Sequence, residues 1–382
     1  MQSEQKYNVL IISATLGIGG LETYIVNLLK CLDRERFQCT VVYGGGRDDY
    51  KEEIEKQGVD VLVVPYSYAQ IPYMCRIGRV MVQRRIDILC DFGGDFAAPA
   101  LLAAKLLGVR GRIAMYRSSR DGFSGTFLKD IYVSVLRKMV RVFATKIVGN
   151  TRKVLSSFYS NWQSKGPQFE VVYNGVDLDK LKGEVDRSSV RRKLGIKEDV
   201  LVVGHVGRLH ESKNHTAILE AFARVRKAIT GMSPLLLFVG EGPLRGEIEA
   251  DISRLQLTDA VILAGQRRDI PDMLGIMDVF IFPSIYEGMP TALAEAMGRG
   301  LSFVASNIEE IAEIVPEELQ CQLYKPDDII GIEKGLYELC TNEARRERVG
   351  AVAKKWASQN YDIRYSCSKL VECWLGPFSA GS

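Results

Sequence analysis

Two carboxylates, Glu287 and Glu295, stand in the run "IYEGMPTALAEAMGRG" (285–300). The residues before it, "DVFIFPS", form an apolar run; "YEGMP" is a cluster of breakers; "TALAEAMGRG" holds strong helix formers closed by Gly298 and Gly300. Strand, loop and helix are therefore expected in that order. Such a turn offers free N–H groups and the positive end of a helix dipole, an anion's environment. Carboxylates beside an anion make sense if they face hydroxyls, as around a sugar joined to a nucleotide. The amides of Gly288, Met289, Pro290 (which has only its carbonyl to offer), Thr291 and Ala292 are the segment expected to meet phosphate or sugar. In "GHVGRLHESKNHTAILEAF" (204–222), Gly207 and Arg208 end a strand and Lys213 precedes a helix starting near His215. A planar guanidinium and a point charge five residues apart can straddle a diphosphate and neutralise charge developing on it. Taken alone, two loop cations read as solvated surface; the neighbouring Glu287 loop favours a site.

Three glycine loops repeat the strand-to-helix pattern. In "ATLGIGGLETYIVNLL", Gly19 and Gly20 allow close approach of a ligand to the backbone. A dinucleotide fingerprint would need a third glycine where Glu22 stands, so this loop speaks against NAD, and a plain tight turn stays open. In "VGEGPLRGEIEA", Gly240 and Gly242 sit at the next such junction. In "LAGQRRDIPDML", Gln266, Arg268 and Ile270 stand where backbone groups can hold a nucleobase. Ordinary turn chemistry is the alternative for both.

The elements that position these loops alternate along the chain. Apolar strands are expected at 8–13, 39–44, 59–65, 112–116, 146–150 and 169–175, and again at 200–207, 233–240, 260–265, 278–284 and 302–306. Helical patterns lie between nearly all of them. This is the signature of parallel sheets covered on both faces. The strand series restarts near 200, which predicts an α/β protein of two doubly wound, Rossmann-like domains. The expected divisions are 1–175, 176–355 and a C-terminal helical segment 356–382 returning to the first domain. Ligands of such sheets sit at strand carboxyl ends, so a cleft between the domains is the expected site.

The motifs "GRLHESKNH", "VGEGP", "AGQRRDI", "DVFIFPSIYEGMPTALAEAMGRG" and "VASNIEEIAEIV", with "GIGGLET" and "VVYNGVD", closely resemble the retaining family-4 glycosyltransferases of the GT-B fold. The resemblance covers about the whole chain, and its C-terminal motifs are the specific ones. It implies that Arg208 and Lys213 hold a sugar-nucleotide diphosphate, Glu287 the donor sugar and Glu295 the ribose hydroxyls. It also implies transfer with retention, no divalent metal and no other cofactor. Members commonly place a histidine beside the donor sugar in the first domain. Here the three histidines, His205, His210 and His215, all lie in the second half, and Tyr116, Arg117 and Ser118 stand at the matching place. Arg117 is the residue expected to take over that polar contact.

Bulk properties set the limits. The 382 residues are 47% hydrophobic and 25% charged, with net charge +3. No apolar run is long enough to span a bilayer, and the start reads as an early strand rather than a signal peptide, so a cytosolic protein is expected. Eight scattered cysteines without paired spacing are expected to be reduced. The histidine spacing across strand, loop and helix start is not expected to converge on a metal, and Asp177 in "VDLDK" is expected to cap a helix. Residues 72–165 carry 17 Lys and Arg against 5 Asp and Glu. In "FLKDIYVSVLRKMVRVFATK" (127–146), Phe127, Ile131, Val135 and Val142 alternate with Lys129, Arg137, Lys138, Arg141 and Lys146. Contact with an anionic membrane is the preferred reading, an ordinary domain helix the alternative, and no nucleic-acid platform is seen. The expected partners are a UDP-sugar, UDP being favoured over GDP only as the commoner choice, and a lipid-linked saccharide. A sugar-nucleotide epimerase or a non-catalytic transferase subunit are the competing readings.

Overall fold

The computed structural model describes residues 6–66, 70–119 and 127–379. The chain divides into two compact units, 1–175 with 363–382, and Val176–Asp362. The first holds a parallel sheet of β1 (Tyr7–Ser13), β2 (Phe37–Tyr43), β3 (Asp60–Val63), β4 (Ile88–Asp91), β5 (Gly111–Tyr116), β6 (Lys146–Gly149) and β7 (Phe169–Val171). Their order is β3-β2-β1-β4-β5-β6-β7. Side chains of β1 alternate between two cores: Val9 and Ile11 join Tyr24 and Leu28, while Leu10 and Ile12 join Ile77 and Leu101. That double burial is why its sequence is continuously apolar rather than alternating. β4, next to β1, is absent from the strands expected above. Its apolar run is short, follows "RRID" and ends on the buried Asp91, which breaks the hydrophobic pattern.

Helices Gly20–Cys31 and Ile363–Ser379 cover one face of this sheet. Tyr24 and Ser366 hydroxyls meet at 3.1 Å, and Ser366 Oγ donates to the Tyr173 carbonyl at 2.6 Å. Trp374 is fully buried, edge-on to Phe37. A Cβ on Gly175 would lie 2.3 Å from Ile363 Cα, so only glycine lets the two segments close here. The segment joining the first unit begins at Ile363 rather than at 356. Helix Glu343–Asn360 runs unbroken, and Trp356 Nε1 is spent on the Ile314 carbonyl of the second unit at 2.9 Å.

The second unit holds β8 (Val202–Val206), β9 (Leu235–Val239), β10 (Val261–Leu263), β11 (Val279–Phe282), β12 (Ser302–Ser306) and β13 (Leu323–Tyr324), in parallel order β10-β9-β8-β11-β12-β13. Strand order reverses between β8 and β11, the place where open α/β sheets bind ligands. At the opposite strand ends, buried Arg191 donates to the carbonyls of Glu198, Val200 and Ile276 and pairs with Asp278, fastening the starts of β8 and β11 together. Both sheets carry the two-domain GT-B architecture of the resemblance.

Candidate active site

At the carboxyl ends of β8, β9 and β10 three loops are stitched by backbone hydrogen bonds. Gly207 N donates to Val239 O at 3.0 Å, Leu209 N to Glu241 O at 3.1 Å and Gly240 N to Gly265 O at 2.8 Å. Contacts this close require glycine: a Cβ on Gly240 would stand 1.9 Å from Gly207 O, and one on Gly242 would stand 2.3 Å from Leu209 O. The glycines read as separate turns in sequence are thus one backbone platform. Arg208 projects from it exposed. In the adjoining loop Arg267 folds back on Asp269 at 2.5 Å, while Gln266 and Arg268 are exposed. Ile270 opens the short helix Ile270–Gly275.

Lys213 closes the turn Glu211–Lys213, and Ser212 O accepts from Ile285 N at 2.8 Å. That bond joins the two charged motifs across the β8–β11 switch point. Asn214, in left-handed conformation at φ 55°, spans the same gap by donating to the carbonyls of Pro283 and Pro326. Lys213 and Glu287 consequently form an ion pair, with side chains 17% and 10% exposed, and Lys213 Nζ lies 4.8 Å from the centroid of the Phe282 ring. Glu287, Gly288 and Met289 lead into helix Thr291–Arg299, whose N-cap Pro290 supplies no side-chain hydrogen bond. Ala292 lies in its first turn and Glu295 one turn further on. Glu295 makes no hydrogen bond or ion pair among the described residues, and burial pushes its carboxyl up to about 7, against a smaller opposing effect of Lys180.

His205 and His215 pack ring against ring. Their rings lie 5.3 Å apart in a cage with Phe238 and Phe282, His205 being fully buried near the end of β8 and His215 at the start of the following helix. Burial lowers both imidazoles, His215 to about 4, so they remain neutral. Their packing supports the Lys213 turn from beneath; His210 turns away to accept from Ser212 N. Asp177 caps the helix Leu178–Lys182 by accepting from Lys180 N, as its position implies.

The family described as "Glycosyl transferases group 1" matches residues 186–356, and "Glycosyltransferase Family 4" matches residues 18–180. The putative glycosyltransferase EpsF of Bacillus subtilis is 30% identical over 80% of both chains. The chain belongs to glycosyltransferase family 4. An Escherichia coli UDP-Gal:alpha-D-GlcNAc-diphosphoundecaprenol alpha-1,3-galactosyltransferase is 33% identical over 66% of this chain and 65% of its own. Among solved structures, Anabaena HepE in complex with UDP and glucose superposes with TM-score 0.81 at 21% identity, covering 96% of this chain and 98% of that one. A Rickettsia africae glycosyltransferase reaches 0.82 at 17% identity, covering 99% and 100%.

In the first unit of this glycosyltransferase, Gly19 is the extended N-cap and Gly20 the first residue of helix Gly20–Cys31. Glu22 folds back over them: Thr15 Oγ1 donates to it at 3.0 Å, and a Cβ on Gly19 would lie 2.6 Å from its other oxygen. The protein's own carboxylate thus occupies the seat a pyrophosphate takes in a dinucleotide site. Arg117 follows β5, its guanidinium 4.3 Å from the Tyr24 ring centroid and 5.2 Å from that of Phe92. Asp91, unforeseen because β4 was, ends that strand buried at the β1–β4 switch point. Gly93 N donates to it, and burial pushes its carboxyl up to about 7. The glycines 93 and 94 just after "DILCD" were the available signal of a strand end.

Proposed function

We propose that the enzyme is a metal-independent, retaining glycosyltransferase. Its donor would be a UDP-hexose or UDP-N-acetylhexosamine and its acceptor a hydroxyl of a lipid-linked saccharide. The observation that carries this reading is the Lys213–Glu287 pair, with exposed Arg208 at a strand end and Glu295 in the following helix Thr291–Arg299, all in the same unit. In the reaction the bond between the sugar's anomeric carbon and the phosphate oxygen breaks. The acceptor oxygen bonds to that carbon on the same face, and its proton passes to the leaving phosphate oxygen. Arg208 and Lys213 neutralise the departing diphosphate, the role a divalent cation fills elsewhere. Glu287 accepts from sugar hydroxyls and Glu295 from the ribose diol. Arg117 serves a substrate from the first unit. The relative acting on a diphosphoundecaprenol-linked sugar, and the fold-mate crystallised with UDP, support the acceptor and donor classes.

A thermal-shift panel of UDP, GDP, ADP, CDP and NAD at matched concentrations tests the donor. Ligand at about 100 times its Kd adds roughly 2.7 kcal/mol to stability. UDP is expected to stabilise and Lys213→Ala to abolish the shift. A GDP shift in its place would move the donor to a GDP-sugar, and no shift would favour a non-catalytic subunit.

Glu295 makes nucleotide affinity depend on pH. Its carboxyl in the free enzyme lies raised to about 7, and only the ionised form accepts two hydroxyls. UDP affinity is therefore full above pH 7 and falls as pH drops through it, by up to about tenfold per unit. The raised value has the opposite sign for folding: the folded state holds the proton more tightly, so this group's contribution to stability declines as pH rises from 4.5 to 7. Glu295→Gln is expected to bind UDP weakly with a flat profile in calorimetry between pH 6 and about 8.

The membrane-facing reading rests on the first unit. Phe127, Ile131, Val135 and Val142 are exposed at 79, 46, 49 and 69%, while Val133, Leu136 and Val140 fill the core. Leu128, Leu106 and Ile71 on this and neighbouring helices are also exposed, as are Arg76, Arg79, Lys105 and Lys138. Arg137 does not belong to that face: it turns inward to Asp95 at 2.7 Å. Among the described residues no helix is long and apolar enough to cross a membrane, so attachment would be interfacial. Co-sedimentation with phosphatidylglycerol vesicles should exceed that with phosphatidylcholine, weaken with salt, and fall at least about tenfold in Phe127→Asp/Leu128→Asp. Equal binding to both vesicle types would refute it.

A further inference from the structure

The guanidinium of Arg117 stands out among the described residues of the first unit as an unsatisfied charge. Its Nε, Nη1 and Nη2 are all buried, and none has a hydrogen-bond partner among the described residues. Tyr24 and Phe92 present their ring faces to it. Glu22, the acid whose charge reaches it, is engaged with Thr15 and the helix start and forms no ion pair with it among the described residues. A buried, unpaired charge is among the more destabilising features a fold can hold, and cation–π contact offsets only about 2 kcal/mol of that. The residue follows the carboxyl end of β5, the edge of the sheet at which ligands of doubly wound domains bind.

We propose that Arg117 forms an oxyanion subsite in the first unit, filled by a carboxylate or phosphate group that the substrate brings. A neutral hydroxyl would satisfy hydrogen bonds but leave the charge uncompensated; an oxyanion does both, through the bidentate geometry of the guanidinium fork. Two bearers share this chemistry: a sugar carboxylate of an acidic saccharide, or the diphosphate of a lipid-linked acceptor. The acidic-ligand requirement follows from Arg117 itself, and only the identity of the bearer rests on the acceptor reading proposed above. The reaction then selects charged acceptors over neutral ones through a residue distant in sequence from the Lys213–Glu287 motifs.

The test uses the full chain saturated with UDP, so that the anion seats of the second unit are filled. D-glucuronate, pyrophosphate and, as the uncharged control, D-glucose are added, and Tm is recorded for the wild type, Arg117→Met and Arg117→Lys. One of the two anions is expected to raise Tm of the wild type while glucose does not, and the rise is expected to vanish in Arg117→Met. A rise with glucuronate identifies a sugar carboxylate; a rise with pyrophosphate identifies a diphosphate. Arg117→Lys, which keeps the charge without the fork, covers a Met variant that fails to fold: its anion shift should shrink while the UDP shift stands. No anion shift in the wild type, or one that survives intact in either variant, overturns the subsite. The UDP shift itself, lost in Lys213→Ala and kept in the Arg117 variants, separates failure of this proposal from failure of the donor reading.

Discussion

Lys213→Ala is expected to lower both sugar transfer and acceptor-free donor hydrolysis by roughly a hundred- to a thousandfold, the range for removing one preorganised charge from a leaving-group site. Lys213 is held by three independent features: the Glu287 carboxylate, the Phe282 ring and the backbone bond between Ser212 and Ile285. It therefore meets a diphosphate with little reorganisation. The same substitution removes the cation beside Glu287, a mostly buried carboxylate, so some loss of stability accompanies the loss of rate. Lys213→Ala/Glu287→Gln separates the two effects: Tm should recover while turnover stays low. Steady-state rates within about tenfold of the wild type in the single variant would remove Lys213 from the chemistry.

Gly240→Ala is the second large effect, and it acts through backbone alone. Gly240 has φ 147°, a region other residues avoid, and its added Cβ would fall 1.9 Å from the Gly207 carbonyl oxygen. Neither side can yield without breaking the bonds from Gly207 to Val239 and from Gly240 to Gly265. Destabilisation of about 3 kcal/mol or more is expected, together with loss of the nucleotide-dependent shift, because Arg208 rides on the displaced loop. Gly246→Ala is the control: nothing lies within 4 Å of its added Cβ, and it sits inside helix Arg245–Arg254. There alanine should raise stability by about 0.5–1 kcal/mol. Thermal melts of the two variants with and without UDP decide both expectations, and a Gly240→Ala enzyme with unchanged Tm would show that the platform is not rigid.

Much of this was legible in the residue order. The alternation of apolar runs and helical patterns fixes parallel sheets because a strand covered on both faces is apolar over its buried length, as in residues 9–12 of β1 and in β11. The glycine loops and the candidate residues Arg208, Lys213, Glu287 and Glu295 could be picked out because strand-to-helix junctions carry their chemistry in local sequence. β4 escaped because three apolar residues between charges and a buried aspartate do not make a periodic signal, and Asp91 escaped with it. The exposed apolar residues of helix Phe127–Phe143 could not be told from core residues, since both faces of that helix are hydrophobic and only packing says which is covered.

The sequence by itself determined the family and the architecture, and it singled out four charged residues of the second unit as candidates; all of these depend on spacing within a few residues. Only the tertiary structure decided which charges are paired. It joins Lys213 to Glu287 across 74 positions of sequence, cages His205 against His215, turns Arg137 inward to Asp95 and leaves the Arg117 guanidinium buried without a hydrogen-bond partner among the described residues. Pairing depends on distances and desolvation set by strand order, and strand order brings together residues that no local pattern relates.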